Sequence, residues 1–122
     1  FGEVLYSAQE TQTWLLDSAT FHVTPNIEWF SNYLAGTSGI VRLGNMMIGE
    51  VPIQFPNDNT ITMHQVWHVP VLKRSLVSIG MLAEDGYRTI LSESSWMISR
   101  GNMKIANECK YNNLYPLMAI NP

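Results

Sequence analysis

The sequence predicts a mainly β domain with one or two short helices. Three observations lead there. Short apolar and β-branched runs recur between turn residues, Pro56-Asn57-Asp58-Asn59 separates two such runs, and only two stretches carry helix-end signals.

Taken in chain order, Trp14-Leu15-Leu16-Asp17 reads as a strand closed by an acid. Next comes a short helix expected over 25–33, with Thr24 as N-cap, Pro25 at the first helical position and Glu28 in the first turn. From Gly39 the runs GIVRL and GNMMIGEVPIQF have strand composition, and TITMHQVWHVPV follows them across Pro56–Asn59. That junction predicts a hairpin, because Pro presets φ and Asn and Asp tolerate left-handed backbone. The second helix is predicted from Ser78 to Asp85, with Ser78 as cap and Gly86 where a left-handed C′ residue belongs. YRTIL, SWMIS and MKIA, split by Glu93-Ser94 and Arg100-Gly101-Asn102, read as a meander. Trp14, Leu16, Ile61, Met63, Val66, Val69, Leu72, Leu76, Ile79 and Leu82 are the expected interior, and core packing is the expected role of all four tryptophans.

Composition narrows the function classes. The 122 residues suit one domain, and 46% are hydrophobic, enough for a core. With 7 basic against 10 acidic residues and a net charge of −3, there is no electrostatic footprint for nucleic acid or an anionic membrane. No apolar run approaches the roughly 20 residues that span a bilayer. The single cysteine, Cys109, cannot pair internally and is expected to be a small buried side chain. Together with the absence of a signal pattern in FGEVLYSAQE, it places the chain inside the cell, in the cytoplasm. A start at Phe1 suggests a piece excised from something longer.

The chemistry rests on few residues. An acid at a strand end, then a hydroxyl residue and a small one, is the arrangement an aspartic peptidase needs: the small residue allows a tight loop whose N–H groups face the carboxylate. Asp17-Ser18-Ala19 has that order. Two such acids sharing a proton activate water, because like charges so close cannot both ionise. Asp58 lies in a polar turn and Asp85 at a helix end, so a dyad requires a symmetric homodimer with Asp17 donated twice. The alternative for Asp17 is an ordinary strand cap. His64 and His68 would share a face on a helix, but on the strand predicted here they stand roughly 13 Å apart, too far for one metal. Neither a metal nor a cofactor is expected.

Several segments resemble, in order, the protease region of copia-type retrotransposon polyproteins from plants. These are WLLDSATFHVTPNIEWFSNY, GIVRLGN, VWHVPVLKRSLVSIGML, DGYRTIL and NNLYPL. The resemblance divides the chain into an N-terminal extension (1–12), a retropepsin-like domain (13–117) and a C-terminal tail (118–122). It implies a closed, mostly antiparallel β-barrel that dimerises around one active site acting on polypeptides, with Asp17 as the catalytic acid and Ser18 as its neighbouring hydroxyl. Leu114-Tyr115-x-Leu117 would mark the passage toward a pre-integrase segment. Two departures stand out. The acid loop reaches Phe21-His22 one residue sooner than in relatives, and the run after Gly44-Asn45 is shorter, as if a flap were truncated. Both bear on catalysis, so the expectation is an impaired aspartic endopeptidase or, alternatively, a non-catalytic interaction or assembly module. A generic β-barrel binding module is the third possibility.

Overall fold

The computed structural model describes residues 11–31, 41–43 and 46–120. Its strands are β1 (Thr11–Asp17), β2 (Val23–Thr24), β3 (Val41–Leu43), β4 (Met46–Gln54), β5 (Thr60–His68), β6 (Ser75–Ser78), β7 (Arg88–Leu91), β8 (Ser95–Arg100), β9 (Met103–Cys109) and β10 (Pro116–Ile120). Six of them close into a barrel in the order β10-β1-β6-β2-β5-β4, sealed where Ile120 meets Gln54. The mainly β fold expected from the sequence is therefore present, with two parallel pairs inside it, β1–β6 and β2–β5. β3 extends the barrel edge beside β4, and β7-β8-β9 form a separate antiparallel sheet, the expected meander. The pairing of β1 with β10 runs from Thr11↔Ile120 to Leu15↔Pro116, so paired strand reaches beyond both ends of 13–117.

The turn at Pro56–Asn59 joins β4 to β5 as predicted. Asp58 takes φ +74°, and the Asp58 N–H donates to the Phe55 carbonyl at 2.9 Å. The Asn57 and Asn59 amides both donate to the Ile105 carbonyl, which ties this hairpin to β9. Helix α1 (Ile79–Glu84) has the expected ends. Ser78 Oγ accepts the Met81 N–H, and Gly86 at φ +91° closes a Schellman motif through Gly86 N–H to Ala83 and Tyr87 N–H to Leu82.

Three expectations are corrected. The helix predicted over 25–33 is only a 3-10 turn, Ile27–Trp29, with Asn26 at its N-cap. Thr24 belongs to β2, pairs with His68, and uses its hydroxyl to accept the Asn26 N–H and to meet Ser75 Oγ at 2.7 Å. That local bond organises a short turn in place of a helix cap; residues 32 and 33 lie outside the described residues. Val69, Leu72, Leu76 and Ile79 are half-buried, whereas Val77 is fully buried. Strand alternation on β1 turns Gln12, Trp14 and Leu16 inward, and Leu15, opposite Leu76, takes the other face. Cys109 is exposed, because it ends β9 at the rim of the smaller sheet.

The core joins both sheets. Trp14, Val51, Ile53, Phe55, Met63 and Leu117 from the barrel meet Trp96, Ile98, Ile105 and Ala106 from the meander. Trp29 lies 5.4 Å from Trp14 at the core margin, and Trp67 faces outward against Phe21 at 5.1 Å. So two of the four tryptophans, Trp14 and Trp96, are fully buried core residues.

Candidate functional site

β1 and β6 run parallel with Asp17 opposite Ser78, so the acid loop leaves the barrel beside the N-terminus of α1. Asp17 is exposed, and its Oδ2 accepts the Ala19 N–H at 2.9 Å. The loop thus has a backbone donor facing the carboxylate, and that donor comes from the small residue Ala19. Ser18 is exposed beside it.

Ser78 anchors the far side of this loop. Its hydroxyl donates to the Ala19 carbonyl at 2.7 Å while accepting the Met81 N–H at 3.1 Å, which satisfies both roles of one oxygen. The Ser78 N–H donates to His22 Nδ1 at 2.9 Å. An accepting Nδ1 puts the imidazole proton on Nε2, which is buried and has no partner among the described residues. Burial, with a smaller contribution from the nearby His64, pushes the His22 pKa down to about 4. His22 is therefore a neutral, fully buried ring beneath the acid loop.

The other histidines part company. A β-bulge sets His64 and Gln65 of β5 against Glu50 of β4, with Gln65 at φ +58°. It shifts the alternation, so Ile61 and Met63 face in before the bulge and Val66 after it. His64 is left outside, 2.8 Å from Glu50, and His68 meets the Pro25 carbonyl at 3.2 Å. Among the described residues, no group of three or more His, Cys, Asp or Glu side chains is arranged to hold a metal.

A cleft of about 440 Å³ opens on the outer face of β1, with Leu15, Pro25, Trp29 and Leu114 as apolar walls and Lys73 and Arg74 at its rim. Asp17 does not line it. The expected shortening falls between Gly44-Asn45, which lie outside the described residues, and β4; on either side of that pair β3 and β4 join, Leu43 with Met46.

Sequence reasoning singled out Asp17 and Ser18 and predicted the capping role of Ser78, which the structure has, but it gave His22 no role. The usable signal was a histidine shortly after the acid and just before a short β run, a position where alternation can turn a polar ring inward.

Residues 14–87 match the family described as Pol polyprotein, beta-barrel domain. Over 120 residues the chain is 30% identical to the retrovirus-related Pol polyprotein from transposon TNT 1-94 of Nicotiana tabacum, covering 93% of this chain and 9% of that polyprotein. No solved structure matches it.

Proposed function

This chain belongs to the family of Pol polyprotein β-barrel domains of retrotransposons, and from that premise we propose that two copies assemble an aspartic endopeptidase site, each donating Asp17. The observation that carries the reading is the exposed Asp17 carboxylate at the end of β1, held by the Ala19 N–H across a tight loop. Among the described residues, no second acid is hydrogen-bonded to that carboxylate. A twofold axis beside the loop would bring the second to it, and the tilted Phe21–Trp67 pair offers apolar surface there for a second copy to cover.

In that dimer the two carboxyls share one proton. The ionised one takes a proton from water as the oxygen attacks the scissile carbonyl carbon, and the protonated one donates to the carbonyl oxygen. Collapse of the tetrahedral intermediate breaks the C–N bond, and the amine leaves with the proton that the first carboxylate had accepted. If the run that follows Gly44-Asn45 is the flap, its shortness would leave water in the site, and turnover would be low.

The cleft beside Lys73 and Arg74 favours a second reading, a non-catalytic assembly module that binds a protein partner there. Sedimentation of the purified chain, run beside an acid-pH peptide-cleavage assay of wild type and Asp17→Asn, separates the two. A dimer whose cleavage disappears in Asp17→Asn is the expected result. A chain that cleaves no faster than the mutant would overturn the peptidase and leave the module. Asp17→Asn should change stability by less than about 0.5 kcal/mol, since the amide oxygen still accepts the Ala19 N–H.

A further inference from the structure

We propose that His22 is the positioning residue of the acid loop, acting through Ser78 to hold the Ala19 N–H against the Asp17 carboxylate. The inference rests on the reading of Asp17 as the catalytic acid.

The geometry begins where β2 leaves the sheet. Val23 pairs with Leu76 in antiparallel register, so a continued β2 would bring residue 21 opposite Ser78. The chain turns away into the acid loop instead, and the Ser78 N–H would be left without a strand acceptor. His22 Nδ1 supplies that acceptor at 2.9 Å. The backbone of His22 is held as well, because its carbonyl accepts the Trp67 N–H at 2.9 Å. Ser78, fixed in this way, donates its hydroxyl to the Ala19 carbonyl, and Ala19 in turn donates to Asp17.

The acid loop is therefore tethered to one residue at two points, by Ala19 on its short side and by His22 at its end. Ser78 is also the N-cap of α1, so the tether is anchored to the first turn of a helix whose Leu82 is in the core. The Nε2–H, without a partner among the described residues, shows that the ring is not placed there to satisfy all of its own hydrogen-bonding capacity. An apolar side chain would fill the same space without leaving a buried donor unpaired. Holding Ser78 is the contact that the ring makes and a leucine cannot.

The test uses the full chain with three variants. His22→Asn keeps an acceptor close to the position of Nδ1, His22→Leu removes it, and Ser78→Ala cuts the hydroxyl tether to Ala19. Amide hydrogen exchange of Ala19 reports the loop without requiring any catalysis, and exchange of Ile98 on β8 reports global opening. In His22→Leu and Ser78→Ala, Ala19 is expected to exchange at least tenfold faster relative to Ile98, while His22→Asn stays near wild type. Where cleavage is measurable, His22→Leu should lower kcat about tenfold with KM changed less than twofold, and His22→Asn should restore kcat.

Equal Ala19 exchange in all four proteins would overturn the proposal. So would acceleration of Ala19 and Ile98 by the same factor, which marks a residue that only stabilises the fold. If His22→Leu does not fold, His22→Gln, whose amide reaches the Nε2 position rather than that of Nδ1, replaces it and is judged by the same ratio. Absence of cleavage in wild type with the exchange pattern intact would instead remove the peptidase reading and leave the tether standing.

Discussion

The acid-loop region and the β7–β9 meander have opposite interiors. Around the loop, His22, Thr24, Ser75 and Ser78 are all buried, and they hold one another and the backbone through directional bonds. The meander turns Trp96, Ile98, Ile105 and Ala106 inward, and the Trp96 Nε1–H reaches the Pro116 carbonyl on β10. Apolar contact is strong in sum but tolerant of small shifts, whereas a buried polar network fixes position and is costly wherever a member stays unpaired. The apolar contact of meander and barrel therefore contributes stability, and positional precision resides at the acid loop.

The largest test of that contrast is Trp96→Ala, which should cost about 3–5 kcal/mol in chemical denaturation. A loss below about 1 kcal/mol would show that the meander is not a main source of stability.

Next comes pH. Folded His22 takes a proton only near pH 4, while the unfolded imidazole takes one near its ordinary 6.5. Between those values the unfolded state binds more protons, so stability is full above about pH 6.5 and declines until about pH 4, by a total on the order of 3 kcal/mol. The charged group that acts on the ring is His64 on β5, itself bonded to Glu50 of β4. His22→Asn should flatten this slope in denaturation midpoints measured across the range. Glu108 works the other way. Burial raises its pKa against a smaller opposing effect of the Met118 N–H, so its contribution to stability grows as pH falls, and Glu108→Gln should steepen the acid loss.

Ser78→Ala removes the α1 cap and the Ala19 tether together and should cost about 1–2 kcal/mol. His64→Ala, which breaks a half-exposed pair with Glu50, should stay within about 0.5 kcal/mol in the same assay. A larger effect there would mean that the bulge depends on the ion pair, and the contrast between the two regions would no longer be sufficient.

Local chemistry made much of this legible. Pro56–Asn59, Ser78 with Gly86, and the breaks at Glu93-Ser94 and Arg100-Gly101-Asn102 each mark an element end through a backbone preference that acts over a few residues. Asp17 was legible for the same reason, as a short polar side chain at the end of an apolar run. The failures were non-local. Thr24 resembles a helix cap in sequence, yet its hydroxyl meets Ser75, far along the chain, and the segment becomes β2. Gln65 carries no signal for positive φ, yet the bulge it forms sends His64 outward and reverses the alternation of β5.

The sequence by itself determined a mainly β chain, its turns, the α-helix at Ile79–Glu84 and the acid at the end of β1, because each follows from the propensities and pattern of neighbouring residues. Tertiary structure alone decided that β1 lies parallel to β6, that Asp17 stands beside Ser78, and that His22 turns inward to take the Ser78 N–H. Those outcomes depend on closing the barrel, which brings together segments more than fifty residues apart and leaves each buried donor to find whichever acceptor the closed register offers.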